Sequence, residues 1–315
     1  MKKIFFAAAF LGFVSILLPV HGLAQPMDYG DAPEGALAYP TLGVIGSFPT
    51  CLGGPAAFIS HTNFGAWFGP QTMVDFELDG NANNCPPVGF PPYDQDECFQ
   101  DPDAGLLFPP AYTINQTPAV VPCVPGAQGP LGITCQTAIW GVHIDIDVEN
   151  HMPSHEPFLP AYVNVLIDWN QDGVWGGSSS CPPTGTPAPE HVLVDFVVPP
   201  LYSGSLSMLL PPSFLIGPNP GYVWVRFSIT EAPVGSGWDG SGVFEDGESE
   251  DYLLLIDGDQ PTIFPEEPTE CPVIDTECPV LETECPTTQT KCPGIETECP
   301  VIETECPAVE TFCPT

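Results

Sequence analysis

Apolar residues occur along the chain in short runs, and many alternate with polar residues at the two-residue period of a β-strand. The clearest run is 138–148, in which apolar side chains from Val142 to Val148 lie on one face and His143, Asp145 and Asp147 on the other. The same pattern predicts strands at 72–78, 161–168, 191–198, 222–229 and 252–256, and weaker ones at 41–48 and 205–210. No run has the period of a long amphipathic helix.

Turn-forming residues separate these runs, and the 42 Pro and 31 Gly disfavour helix interiors. About eight short strands joined by long loops are typical of an all-β fold, and we expect a β-sandwich of jelly-roll-like topology. The hydrophobic share of 43% is enough to form the core of one domain. We place this domain at 25–258, before a turn-rich linker at 259–268 and a non-helical, repetitive tail at 269–315.

The first 24 residues have the pattern of a secretory signal peptide. Lys2 and Lys3 precede an apolar run at 4–20, and the small residues Gly22 and Ala24 suit a cleavage site after them. A membrane anchor is the alternative, but the run is short and a cleavage site follows it. We therefore expect a secreted mature chain without a transmembrane segment, either extracellular or attached to the cell surface.

The charge of the chain is strongly negative. It has 40 Asp and Glu residues against four Lys and Arg, which gives a formal charge of −36. A protein that binds nucleic acid needs basic residues to displace counterions, so we exclude nucleic acid as a partner. Salt bridges cannot neutralise so many carboxylates, and close carboxylates repel one another. Divalent cations are the alternative counter-charge wherever the acids cluster at ligand spacing.

One acidic cluster has the spacing of a calcium loop. Asp168, Asn170 and Asp172 follow a predicted strand in the form D-x-N-x-D-G. Side-chain oxygens two residues apart converge in such a loop, and the carbonyl of Val174 adds another oxygen, a set that suits Ca²⁺. An EF-hand would place Glu at its twelfth position, where this chain has Ser179, so no EF-hand helix pair is predicted. The alternative is a polar Asx turn without metal.

Three other acidic runs supply further candidate calcium ligands. They comprise Asp75, Glu77 and Asp79 in one alternating run, Asp94, Asp96, Asp101 and Asp103 in a Pro-rich loop, and Glu248, Glu250 and Asp251 in the dense run at 245–251. For each run alone, a solvated loop explains the acids equally well. Because almost no basic residue lies near them in sequence, we expect at least one Ca²⁺ site among these clusters and no organic cofactor.

Four motifs in sequence order resemble the GEVED-domain family of secreted bacterial proteins. They are DYGDAP at 28–33, DWNQDGVW at 168–175, VRFS at 225–228 and GESEDY at 247–252. The resemblance implies an extracellular β-sandwich module of large surface and adhesin-like proteins, without an established catalytic role. The chain departs from the family where Ser249 replaces the valine of GEVED and where Ser228 stands in place of a second arginine. It also carries inserted loops rich in Cys and Pro.

Six cysteines lie within the predicted domain: Cys51, Cys85, Cys98, Cys123, Cys135 and Cys181. An even number in an exported protein favours three disulfides, which would brace the long loops. Pairing of sequence neighbours gives Cys85–Cys98 and Cys123–Cys135 and leaves Cys51–Cys181. Other connectivities remain open.

Seven further cysteines recur at every seventh residue of the tail: Cys271, Cys278, Cys285, Cys292, Cys299, Cys306 and Cys313. The repeat T-E-C-P-V-I-E contains Pro in each unit, which excludes a heptad coiled coil. If the tail is extended, neighbouring cysteines lie roughly 23 Å apart and must find partners on other chains. If it coils as a small β-solenoid, alternate cysteines stack closely enough to pair. A disordered acidic spacer would also fit the repeat, as would a tail whose thiols bind metals or surfaces.

Together these features favour an exported structural subunit of a fibre, sheath or coat, with a calcium-stabilised head and a cross-linking tail. Further copies or other surface proteins would be its partners. An alternative is a calcium-dependent adhesin that binds carbohydrate. Its candidate stacking platforms are Trp140, Trp169, Trp175, Trp224 and Trp238, although core packing explains most of them. A hydrolase ranks third. Asp145 and Asp147 share a strand face, but no nucleophile, zinc or phosphate-loop motif is present in the sequence, and we predict no enzyme.

Overall fold

The structure is a computed structural model, and it describes residues 27–52, 57–69, 105–115, 117–153 and 157–258. The chain divides between residues 264 and 265 into two units, and all described residues belong to the first. The predicted signal peptide at 1–24, the strand at 72–78, the linker at 259–268 and the tail repeat lie outside the described residues.

The described residues form β-strands and one 3₁₀ turn, with no α-helix among them, which confirms the all-β prediction. The strands are β1 (Glu34–Tyr39), β2 (Val44–Ser47), β3 (Ile59–Asn63), β4 (Ala66–Phe68), β5 (Leu106–Phe108), β6 (Tyr112–Ile114), β7 (Val120–Pro122), β8 (Gly132–Ile133), β9 (Thr137–Ala138), β10 (Asp145–Asn150), β11 (Ala161–Ile167), β12 (Ser178–Cys181), β13 (Thr186–Pro189), β14 (His191–Val198), β15 (Tyr202–Ser205), β16 (Phe214–Leu215), β17 (Gly221–Thr230) and β18 (Gly242–Asp257). The 3₁₀ turn is Leu206–Leu209. Within this part of the chain, no helix has the length and apolar composition needed to cross a membrane.

Two sheets contain most of the strands. The larger has eight strands in the order β14-β11-β17-β18-β6-β7, and β3 and β8 pair with β18 in parallel. The smaller has four strands in the order β15-β10-β4, with β5 also paired to β10. Three separate pairs, β1–β2, β12–β13 and β9–β16, complete the described pairing.

The main core lies between these two sheets, as a β-sandwich requires. Phe68 of β4 and Ile146 of β10 belong to the same buried cluster as Val165 of β11 and Phe227 of β17. The opposite face of the larger sheet is also covered, because Trp224 of β17 packs in a second cluster with Ala38, Phe48 and Trp175. The larger sheet is therefore apolar on both faces, and the segment around β1 and β2 covers its outer face.

The strand predictions agree with the structure where alternation is long and differ where a turn interrupts it. Strands β11, β14 and β17 lie at or within two residues of the predicted bounds, whereas β18 begins ten residues before the predicted 252–256. The prediction of a single strand at 138–148 is wrong. The N–H groups of Val142 and His143 donate to the carbonyl of Ile139 and form a turn before β10. Val142 is consequently 66% exposed. The predicted strand at 205–210 is the 3₁₀ turn.

One disulfide corrects the predicted pairing. Cys135 and Cys181 are bonded with their Cα atoms 5.4 Å apart, so the pairs Cys123–Cys135 and Cys51–Cys181 are wrong. The fold brings the two residues together at Ile216, whose carbonyl accepts the N–H of Cys135 and lies 3.4 Å from Sγ of Cys181. Cys51 and Cys123 are also disulfide-bonded. Cys85 and Cys98 lie outside the described residues.

A buried ion pair joins β17 and β18 beneath the N-terminal segment. Arg226 and Asp251 are direct cross-strand partners with fully buried side chains. The guanidinium donates through Nε and Nη2 to the two carboxylate oxygens, at 2.7 and 2.5 Å. Its Nη1 donates to the carbonyls of Pro49 and Gly240, and the group lies 5.7 Å from the ring centroid of Trp175. Contacts of this kind satisfy a charge that would otherwise be very costly to bury.

The same carboxylate holds the N-terminal motif in place. Oδ2 of Asp251 accepts the N–H groups of Asp31 and Ala32, at 2.8 and 2.7 Å. Gly30 is required here, because a Cβ at this position would lie 2.2 Å from Nη2 of Arg226. Asp28 adds a second contact to β18, because its carboxylate accepts the N–H of Ser249 at 2.8 Å. The motifs DYGDAP, VRFS and GESEDY therefore converge on one buried cluster.

The serines of the VRFS and GESEDY motifs are neighbours in this structure. Ser228 and Ser249 are opposite each other in β17 and β18, and Oγ of Ser249 donates to Oγ of Ser228 at 2.9 Å. Nε2 of His61 lies 3.0 Å from the same Ser249 hydroxyl. Burial lowers the pKa of His61 to about 3, so this histidine is neutral at physiological pH. The three side chains form one buried polar chain.

We expect Arg226→Met and Asp251→Asn each to lower the free energy of unfolding by about 3–5 kcal/mol, because either change leaves the partner buried and uncompensated. Urea denaturation of the purified protein measures this loss. The double variant should lose less than the sum of the two single losses. Val243→Ala, at a 69%-exposed position of β18, is the control and should change stability little. A loss below about 1 kcal/mol in both single variants would contradict the structural role of the pair.

Candidate metal centre

The loop that follows β11 folds around the carboxylate of Asp168. This side chain is fully buried, and its oxygens accept the N–H of Gly173 at 2.8 Å, the N–H of Asp172 at 3.2 Å and the hydroxyl of Tyr39 at 2.8 Å. Gly173 has φ +84°, and a Cβ there would lie 2.9 Å from the carbonyl oxygen of Ile45. The predicted sharp turn is therefore present, and it needs glycine for both backbone conformation and space.

Asn170 and Asp172 lie on the exposed side of this loop. Nδ2 of Asn170 donates to Oδ2 of Asp172 at 2.8 Å, and the N–H of Asp172 donates to Oδ1 of Asn170 at 3.0 Å. The N–H of Val174 in turn donates to Oδ1 of Asp172 at 3.1 Å. The loop thus has the hydrogen bonds of an Asx turn, the alternative to a metal site that the sequence left open.

A buried carboxylate that the sequence did not indicate faces this loop. Glu190 lies between β13 and β14 and is fully buried, and neither of its carboxylate oxygens has a hydrogen-bond partner. Burial, and after it the negative charges of Asp168 and Asp172, raises the pKa of Glu190 to about 8. The nearby N–H groups of Asn170 and Gly176 oppose this rise without forming hydrogen bonds to the carboxylate. An uncompensated buried carboxylate beside two others is a place that favours a cation.

Asp168 has a similar electrostatic environment. Burial raises its pKa to about 6, and the negative charge of Asp172 adds to the rise, while the hydrogen bonds from Gly173 and Tyr39 oppose it. Among the described residues, no three His, Cys, Asp or Glu side chains are close enough to hold a metal ion as they stand. Binding a cation at this loop therefore requires side-chain rotation toward a common point.

The acidic run at 245–251, a predicted calcium site, lies within the strand β18. Successive residues of a strand point to opposite faces, so Asp251 is separated from Glu248 and Glu250. Asp251 pairs with Arg226, and the carboxylate of Glu248 accepts the N–H of Phe68. Arg226 therefore supplies the counter-charge of Asp251 in this structure, and cation binding by this run stays a prediction. The candidates Asp75, Glu77, Asp79, Asp94, Asp96, Asp101 and Asp103 lie outside the described residues.

Two of the three carboxylates of β10, those of Asp145 and Glu149, are engaged in local hydrogen bonds. Asp145 accepts the N–H and the hydroxyl of Ser207, at 3.0 and 2.5 Å. Glu149 accepts the hydroxyl of Ser203 and contacts Nε2 of His151 at 2.9 Å. Burial, and after it the negative charges of Asp145 and Glu149, raises the pKa of Asp147, the other carboxylate of the predicted pair.

The tryptophans proposed as stacking platforms are interior residues. Trp140, Trp169, Trp175, Trp224 and Trp238 have at most 9% of their surface exposed. Trp169 and Trp224 are fully buried, and their ring N–H groups donate to backbone carbonyls at 3.0 Å. Core packing therefore accounts for these side chains, and a carbohydrate would need other contacts.

Comparison with known proteins agrees with the motif analysis. Residues 162–255 match the family model described as the GEVED domain. The match includes three of the four motifs, namely those at 168–175, 225–228 and 247–252, and it includes Glu190. No curated protein and no solved structure matches the chain.

We expect the metal-free protein to lose stability as pH rises from about 4.5 to about 8. A carboxyl whose pKa is raised on folding keeps its proton in the folded state over this range, while the unfolded chain has already released it. Urea denaturation in EDTA at pH 5 and pH 8 measures the change. Glu190→Gln removes the titrating group, so the wild-type protein should lose stability relative to this variant as pH rises. An unchanged difference between the two proteins at both pH values would contradict the assignment.

Proposed function

Because the chain contains a GEVED domain, we propose that it is an exported structural subunit of an extracellular or cell-surface assembly. In this proposal Ca²⁺ stabilises the head at the 168–174 loop, and the cysteine-rich tail cross-links subunits. The observation that carries the proposal is the folding of the D-x-N-x-D-G segment around the buried carboxylate of Asp168. The segment connects strands of the sandwich, so an ion bound there would stabilise the head as a whole.

The ligand chemistry of this loop supports calcium over softer metals. Asp168, Asn170, Asp172 and the carbonyl of Val174 offer oxygen only, and hard cations prefer oxygen ligands. The one Lys or Arg among the described residues, Arg226, already pairs with Asp251, so no basic side chain competes for the loop. Extracellular calcium modules bind at millimolar to submillimolar concentrations, which an exported protein meets.

The contacts of the loop support a structural effect of ion binding. The hydroxyl of Tyr39 in β1 bonds to Asp168 and accepts the N–H of Trp224 in β17. The carbonyl of Gly173 accepts the N–H of Ser47 in β2 at 2.6 Å. An ion that fixes the loop would therefore also fix the β1–β2 pair against the larger sheet.

The proposed assembly role of the tail rests on its sequence. Seven cysteines at a constant spacing, with Pro in each repeat, provide regular cross-linking positions in an exported chain. Since seven is odd, pairing within one tail leaves a thiol for a partner. Disulfides to other copies or to other surface proteins would join the subunits covalently.

We expect Ca²⁺ to raise the melting temperature of the head by roughly 5–10 °C at about 100 times its dissociation constant, because the ion binds only the folded state. Calorimetry with Ca²⁺ and with EDTA measures this shift. Asp172→Asn should abolish most of it. Asp239→Asn makes the same chemical change at an exposed turn that caps Ser241, and it should leave the shift intact. Equal melting temperatures of the wild-type protein with Ca²⁺ and with EDTA would contradict a calcium-stabilised head.

We expect native protein to migrate as covalent multimers on non-reducing electrophoresis and as a monomer after reduction. Replacement of the seven tail cysteines by Ser should remove the multimers while the head keeps its melting temperature. A single monomer band from native material, unchanged by reductant, would count against covalent assembly.

Calcium-dependent carbohydrate binding is a second candidate function. One observation favours it: a pocket of about 230 Å³ adjoins the loop and is lined by Tyr39, Leu42, Val120, Gln171 and Tyr222, among others. Gln171 belongs to the loop itself, so an ion there would influence one wall of the pocket. A glycan array with Ca²⁺ and with EDTA tests this function, and no signal in either condition would reject it.

A further inference from the structure

We propose that Glu190 is the carboxylate ligand that closes the calcium site from outside the loop and gives it preference for Ca²⁺ over Mg²⁺. This inference rests on the proposed binding of calcium at the 168–174 loop. It adds a ligand that is distant from the loop motif in sequence, and it specifies which ion the site selects.

The backbone holds Glu190 beside both ends of the loop. The N–H of Ile167, just before Asp168, donates to the carbonyl of Glu190 at 2.8 Å. The N–H of Glu190 donates to the carbonyl of Gly177, after the loop, at 3.2 Å. The preceding residue is fixed as well, because the ring N–H of Trp169 donates to the carbonyl of Pro189 at 3.0 Å. Three hydrogen bonds thus fix the position of this glutamate before any ion binds.

The side chain of Glu190 is unusual in being fully buried without a partner. Both carboxylate oxygens lack hydrogen bonds, whereas the buried carboxylate of Asp168 accepts three. Its charged neighbours are Asp168 and Asp172, which are both negative. Gly177, which has no side chain, leaves open the space next to the carboxylate, since a Cβ there would lie 3.8 Å from Oε2. These carboxylates do not converge on one point as they stand, so rotation of their side chains would let one ion with charge +2 contact all three.

Glu190 supplies what the linear motif lacks. A complete EF-hand loop ends in a bidentate Glu, and this chain has Ser179 at the corresponding position. Glu190 reaches the same loop from the start of β14 and carries two free oxygens, so it can take that role. Bidentate ligation suits Ca²⁺, which accepts six to eight oxygens, and it disfavours Mg²⁺, which is smaller and requires near-octahedral geometry.

Calcium titration of the full chain by calorimetry, with Mg²⁺ titrated in parallel, tests the inference. Glu190→Gln should weaken Ca²⁺ binding by about 10-fold or more, because it removes one negative ligand, and should change Mg²⁺ binding much less. Glu190→Asp keeps the charge but shortens the side chain, and it should give an intermediate loss for Ca²⁺. Glu245→Gln is the matched control at an exposed position of β18 and should bind both ions as the wild-type protein does.

A second measurement keeps the inference testable if Glu190→Gln does not fold. Tb³⁺ replaces Ca²⁺ in oxygen sites, and the adjacent Trp169 and Trp175 would sensitise its luminescence in the wild-type protein and in Glu190→Asp. If both Glu190 variants and Asp172→Asn bind Ca²⁺ more weakly than the wild-type protein, the result supports Glu190 as a calcium ligand. If a Glu190 variant binds Ca²⁺ with wild-type affinity while Asp172→Asn binds it weakly, the calcium site stands and only the role of Glu190 is overturned. No Ca²⁺ or Tb³⁺ binding by the wild-type protein overturns the calcium site and this inference together.

Discussion

The buried pair of Arg226 and Asp251 is the interaction on which the rest of the structure depends. It lies at the centre of the longest strand pairing and satisfies one arginine with carboxylate, carbonyl and aromatic contacts. The carboxylate also binds two N–H groups of the N-terminal motif. Because removal of either partner would leave a charge without compensation, β17, β18 and the N-terminal segment are held as one unit.

The chain has few basic residues, and the sandwich contains only one, Arg226. This pair shows where that residue is placed. The arginine is placed where three motifs meet, so its charge is used in the interior and not at the surface. The loop at 168–174 is the complementary case, in which the buried carboxylates of Asp168 and Glu190 have no basic side chain nearby. The two sites therefore differ, because Asp251 is stabilised by arginine, whereas Asp168 is stabilised by hydrogen bonds from Tyr39, Asp172 and Gly173.

The sequence predicted the parts of the fold that depend on local periodicity. Strands β11, β14 and β17 follow from alternation and from apolar runs, because burial of a strand face imposes that pattern. The turn at 139–144 was missed, since alternation continues through it while the backbone reverses. The Cys135–Cys181 bond was missed because it depends on how β9, β12 and β16 lie in space. Glu190 carries no local signal, as its importance comes from burial that only the tertiary fold creates.

The polar chain of His61, Ser249 and Ser228 has a consequence for substitutions at the two serines. The two serines lie 21 residues apart in sequence, yet they share one hydrogen bond across β17 and β18. Physically they form one contact, so replacing either serine alone would leave a buried hydroxyl without this partner.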